Sequence, residues 1–343
     1  MAQATQTVLN LALQGGGSHG ALTWGVLDAL LEDETLVLEG ISGTSAGAMN
    51  AVVLAHGFAQ AAAEEKTVDA ARQRGRELAR KSLRDLWEGV GAMGSLTWGV
   101  PLANGPLMGM LNHFWSPYQT NPLNFNPLRK LLEGIVDFEQ LVHPAHPSAV
   151  PKLFVCATNV RTGRGQIFSG EKVTADAIMA SACLPQLFKA VEIDGEYYWD
   201  GGFSGNPALY PLIYGTRSRD ILLVQINPKE SIELPSTAGD IMDRMNEVTF
   251  NASLLAELRA IEFVTRLLEQ KRLDSERYKH VLMHRIDGGA VLKGYGASSK
   301  TRADINMVHD LFDLGREQGQ RWLHEHRQDI GVRQTLRFND NAV

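Results

Sequence analysis

Three glycine-rich signals carry the residues of this chain that can do chemistry. The first is Gly43-Thr44-Ser45-Ala46-Gly47, set between an apolar strand and an apolar helix. A serine that attacks a carbonyl must project its hydroxyl from a tight, strained turn. A side chain two residues away on either side would collide with the neighbouring strand or helix. Gly43 and Gly47 remove that collision, so Ser45 reads as a nucleophile. A helix opening at Ser45 also aims its free N–H groups at developing negative charge. The alternative is a plain strand-to-helix turn of small residues.

The second signal, Gly15-Gly16-Gly17-Ser18-His19-Gly20, follows the first apolar run and opens a helix. As an oxyanion hole, the backbone N–H groups of Gly15, Gly16, Gly17 and Ser18 would hold the negative oxygen of a tetrahedral intermediate. As a dinucleotide loop, Gly15-x-Gly17-x-x-Gly20 has the required spacing, and Glu39 stands near the place where an acid would hold a ribose. The second strand runs directly into the serine turn, for which a nicotinamide enzyme has no use. That favours the oxyanion reading.

The third signal is Asp200-Gly201-Gly202. Asp194-Gly195 just before it is flanked by short apolar and aromatic runs and reads as a hairpin turn, so Asp194 is structural. Asp200 ends the second arm of that hairpin, beside two glycines that let the chain turn sharply. A carboxylate there can take the Ser45 proton without an intervening histidine, as a general base. It can do so only if burial raises its basicity or if proton and bond transfer are concerted. Alone, the motif would be an Asp-Gly turn without chemistry.

Elements must bring positions 15, 45 and 200 together. Val8–Leu13, Leu36–Ile41, Leu153–Val160, Ile221–Ile226 and His280–Ile286 read as strands. Ser18–Leu31 and the run after Ser45 read as helices between them. Strand, glycine turn, helix, repeated, predicts an α/β fold with a mainly parallel sheet covered on both faces. Ala61–Leu86 reads as one solvated helix, and Asn246–Leu273 as a long helix with one face on the core. With no repeat and no linker, 1–343 is expected to be a single domain, with 240–343 as a helical extension on the same core. Ser95–Phe125, rich in aromatic, Met, Gly and Pro residues, reads either as an apolar flap over a lipid site or as a loop-rich piece of core.

Composition narrows the partners. The chain has 343 residues, 44% hydrophobic and 21% charged, with a net charge of −6, which gives no basic face for nucleic acid. Cys156 and Cys183 lie in apolar runs and read as buried free thiols. No His/Cys cluster has metal spacing, so no metal and no cofactor are expected. The N-terminus does not read as a signal peptide and no apolar run approaches 18 residues. A cytoplasmic protein is the expectation, with transient contact to a membrane surface through Ser95–Phe125. His19 lies too close to the oxyanion loop to read as a triad histidine, and His56 and His113 read as surface or packing residues.

Taken together, the three motifs resemble the patatin-like phospholipase family. CATNVRTGR from Cys156 and MASACLPQLF from Met179 resemble that family's strand and its approach to the aspartate. The resemblance covers Val8–Pro207 and continues faintly through Ser299-Lys300 to Trp322. It implies a three-layer α/β/α fold and a Ser–Asp dyad cleaving fatty acyl esters of phospholipids or related lipids. A short-chain carboxylesterase with the same machinery and a catalytically silent lipid-binding protein remain as alternatives. Two positions depart from the pattern: His19 stands where the family commonly has Arg or Lys, and Gln14 where many members have Asp or a small residue.

Overall fold

Alternation along the central strands decides the architecture. In the first strand, β1 (Thr7–Leu13), Leu9, Leu11 and Leu13 point into one core while Ala12 points into another. In β7 (Asp220–Gln225), Leu222 and Val224 join the first core, Ile221 and Leu223 the second. Strands apolar on both faces must be covered on both faces, and parallel pairing through helical crossovers does this. The computed structural model describes residues 6–98, 118, 126–228, 234–289, 291–295, 299–300 and 303–338.

The other strands are β2 (Leu36–Gly43), β3 (Lys152–Asn159), β4 (Gly165–Phe168), β5 (Val191–Ile193), β6 (Glu196–Asp200) and β8 (Leu282–Asp287). They form one sheet in the order β5-β6-β3-β2-β1-β7-β8, with β4 paired to β3 off that path. The run from β3 to β8 is parallel, whereas β4, β5 and β6 pair antiparallel. The fold is thus a mainly parallel mixed sheet between helical layers.

On one face lie α1 (Gly20–Glu32), α2 (Ala46–Glu64), α3 (Val68–Trp98) and α9 (Ile305–His326). On the other, α7 (Tyr210–Gly215) and α8 (Ala238–Glu269) bury Leu209, Leu212, Leu254, Leu258 and Ile261 against the sheet. Short helices α4 (Pro127–Ile135), α5 (Phe138–Val142) and α6 (Ala175–Ser181) complete the connections.

One element expectation needs correction. Ala61–Leu86 is not one helix: α2 ends at Glu64, and α3 starts at Val68 after Thr67, whose hydroxyl accepts the Ala70 N–H. Nor is it merely solvated, because Ala71, Ala79, Leu83, Leu86 and Trp87 of α3 are buried. Within 240–343 the strand expected at His280–Ile286 forms as β8, the sheet edge beyond β7. The proposed flap, 95–125, lies outside the described residues apart from the end of α3 and Tyr118.

Candidate active site

The sheet register brings the first and third glycine signals together. β2 pairs β3 up to Gly43↔Val155, and β6 takes over the same edge of β3 from the opposite direction, ending at Asp200↔Ala157. The other edge is occupied by β4 over Val155–Thr158. The ends of β2 and β6 therefore meet head to head, about 7 Å apart along β3. The turn after β2 carries Ser45, and the last residue of β6 is Asp200.

Ser45 sits at φ 54, ψ −122, a strained conformation for a residue with a Cβ. The turn is tight because the chain passes close to itself. A Cβ on Gly43 would lie 2.6 Å from the Gly47 carbonyl oxygen, and one on Gly47 would lie 2.2 Å from the Leu13 oxygen. Two further bonds hold it. The Ser45 N–H donates to Ser181 Oγ at 2.9 Å, and Ser181 in turn donates to the Cys156 carbonyl at 2.6 Å. The Thr44 hydroxyl donates to the Gly205 carbonyl at 2.6 Å, tying the serine turn to the segment after Asp200.

Asp200 is 1% exposed. Its Oδ1 accepts the Gly202 N–H at 2.7 Å, its N–H donates to the Cys183 carbonyl, and its carbonyl accepts from Thr158. Burial pushes its carboxyl up to about 7, with the Gly202 N–H and the Ser45 hydroxyl pulling it back in part. Oδ2 has no hydrogen-bond partner among the described residues, while the Ser45 hydroxyl is near enough to lower the carboxyl's pKa. Such contacts commonly tighten only when substrate binds.

The glycine loop reaches the same place from the end of β1. A Cβ on Gly15 would lie 2.8 Å from Ser45 Cβ. Gly15 was expected among the oxyanion donors, but its N–H is spent on Asn206 Oδ1 at 2.7 Å, so it anchors the loop instead. Gly16, Gly17 and Ser18 precede α1, where the first N–H groups lack intrahelical partners, and their N–H groups meet no acceptor among the described residues. Gly17 adopts φ +58, a conformation that favours glycine.

His19 is buried beneath this loop, with Nε2 2.7 Å from Ser299 Oγ and Nδ1 without a partner. Burial, then the charge of Lys300, lowers its pKa to about 4, so it is neutral near pH 7. Gln14 is a brace. Its Oε1 accepts the N–H groups of Ile226 and Asn227, and its Nε2 donates to Asn251 Oδ1. Sequence spacing gave no signal for Asn206 and Asn227; Ser181 lay inside a run recognised for its resemblance, without a role.

Other readings lose support here. Both Glu39 oxygens accept backbone N–H groups, from Arg217 and Ser218, leaving the dinucleotide reading without its ribose acid. Cys156 and Cys183 are buried free thiols, each pushed up to about 12 by burial. His56 is buried and its pKa lowered for the same reason, while His113 lies outside the described residues. A cavity of about 920 Å³ between α7 and α8 is lined by Tyr210, Ile213, Glu257, Ile261 and Tyr278, and neither Ser45 nor Asp200 faces it.

A family model described as patatin-like phospholipase matches residues 11–213, more than half of the chain, with the glycine loop, Ser45 and Asp200 all inside the match. The chain belongs to the patatin-like phospholipase family. Among solved structures it is similar to VipD from Legionella pneumophila, at 16% identity and a TM-score of 0.39, over 90% of this chain and 67% of that one. A search of curated proteins finds no match. As a patatin-like phospholipase the chain is a lipid acyl hydrolase, and its mainly parallel sheet between helical layers is the α/β/α fold of that family. No helix among the described residues is long and apolar enough to cross a membrane.

Proposed function

We propose that this patatin-like phospholipase cleaves fatty acyl esters of phospholipids or related lipids by two-step acyl transfer, within one acyl hydrolase domain spanning 1–343. Asp200 takes the proton of Ser45, and Ser45 Oγ attacks the ester carbonyl. The oxyanion forms beside the N–H groups of Gly16, Gly17 and Ser18. Collapse of the tetrahedral intermediate expels the alcohol, which takes the proton from Asp200 and leaves an acyl-serine. Water then gives its proton to Asp200 and attacks the acyl-serine, and the fatty acid leaves as Ser45 regains its proton.

The observation that carries this reading is a buried carboxylate at the head-on meeting of β2 and β6, facing a strained serine. A carboxyl near pH 7 is far more basic than an ordinary aspartate and suits a general base. Idle N–H groups at the start of a helix suit a developing oxyanion, each worth about 2.7–4 kcal/mol in the transition state.

The test is fluorophosphonate labelling with peptide mapping, beside fatty acid release from phospholipid vesicles and from p-nitrophenyl esters of increasing chain length. Label should map to Ser45, and Ser45→Ala should lose both labelling and release. Release by purified Ser45→Ala at the parent rate would refute the assignment. A preference confined to the shortest esters would point to a carboxylesterase.

A further inference from the structure

Free N–H groups on a glycine loop stabilise charge only if something holds them aimed. The glycines cannot do this for themselves, since they have the fewest conformational restraints of any residue. Beside Asn206, which takes the Gly15 N–H at 2.7 Å and reaches its carbonyl at 3.5 Å, what fixes the loop comes from more than 200 residues away. Asn227 Nδ2 donates to the Gly15 carbonyl at 2.6 Å, and Lys300 Nζ donates to Asn227 Oδ1 at 2.9 Å. Lys300 Nζ also lies 3.7 Å from Glu247 Oε1 on α8, so its position is shared with the neighbouring helix.

The chemistry of the three groups makes this chain directional. An ammonium group can only donate. With Lys300 in place, the oxygen of the Asn227 amide must face Lys300, and its NH₂ must face Gly15. Without Lys300 only the Gly15 carbonyl still selects that orientation, and the Asn227 oxygen loses the donor that holds it in place. Two further contacts press the same residues on the loop. A Cβ on Gly17 would lie 2.3 Å from the Lys300 carbonyl oxygen, and Ser299 Oγ meets the His19 ring at 2.7 Å.

We infer that Lys300 is a positioning residue for the oxyanion donors, acting through the orientation of the Asn227 amide on Gly15. The inference rests on the proposed role of the Gly16, Gly17 and Ser18 N–H groups. It also accounts for the histidine at position 19. The fixed positive charge near this loop sits on Lys300, contributed from the distal part of the chain, while His19 stays neutral.

The experiment compares Lys300→Met, which keeps the stem and loses the donor, with Lys300→Arg, which keeps a donor. On a soluble ester, Lys300→Met should lower kcat about 10- to 100-fold with KM within about threefold, short of the 10²–10³ loss from deleting a donor. Lys300→Arg should recover most of that loss. Asn227→Leu removes the donor to Gly15 without adding a charge, and adding Lys300→Met to it should cause little further loss. Effects that multiply would overturn the route through Asn227. Amide hydrogen exchange of the peptide covering 14–20 gives a readout independent of turnover. It should quicken in Lys300→Met and return to the parent rate in Lys300→Arg. Unchanged exchange in Lys300→Met overturns the inference. A parent protein that neither labels at Ser45 nor releases fatty acid would defeat the dyad instead, and the exchange data would still decide the role of Lys300.

Discussion

Asp200 is both the proposed base and a cost to the fold, because its carboxyl is buried with a single N–H on one oxygen. A pKa raised from 3.8 to about 7 means the folded chain holds this proton more tightly than the unfolded chain does. Stability from that proton is complete below about pH 4 and is lost as pH rises through 7. The shift corresponds to about 4 kcal/mol. Asp200→Asn should therefore match the parent's stability near pH 4 and exceed it by a few kcal/mol at pH 8, read as urea midpoints at both. Ester turnover by the parent should follow the opposite course, rising through about pH 7 as the carboxylate forms. Equal stability of the two proteins at pH 8 would contradict the buried charge. Ser45 and Asp200 stand out in the sequence as candidates because their signals are local: glycines two residues from a serine, or directly after an aspartate. The engagement of the Gly15 N–H was not legible, because its partner, Asn206, lies 191 residues away in the chain.

The helices are held together by charges that no local pattern reveals. Asp28 of α1 is 2% exposed and meets Arg80 of α3 and Arg316 of α9, and Glu32, one turn later, meets the same two arginines. Asp28→Ala would leave two guanidinium groups facing a gap. Both arginines are about one-third exposed, so the cost should fall below the 3–5 kcal/mol of a fully buried pair, at about 2–3 kcal/mol. Urea unfolding would measure it, and a midpoint unchanged from the parent would remove the network from the list of what fixes α1, α3 and α9. Strands read well in the sequence because they are buried on both faces and so appear as continuous apolar runs. β4 did not, because only Phe168 of its four residues is buried. The α2–α3 break was missed because Ala, Glu and Lys favour helix straight across it; packing of both helices on one core, not propensity, sets the stop.

Across the whole molecule, the family match ends at 213 while the sheet does not. β7 pairs the free edge of β1, β8 pairs β7, and α9 covers α1. A chain cut after Ile213 keeps Ser45, Asp200 and the glycine loop but exposes that edge and the buried faces of α1. It should show no cooperative melt by circular dichroism and no ester hydrolysis; a sharp melt with turnover would mean that the remaining strands suffice. The general α/β/α plan was legible from strand and helix order, yet dependence of the first loop on residues near 300 was not, since no periodicity links them.

That dependence has a consequence for how the protein is made. A polypeptide leaving the ribosome exposes the proposed nucleophile, Ser45, early, when only β1 and β2 can pair beneath it and the loop beside it is not yet anchored. The second neighbour of β1, β7, arrives at about residue 220, and Lys300, proposed to steady the loop, about 80 residues later. Lipid surfaces near the site of synthesis thus meet an aligned loop only once translation has passed Lys300.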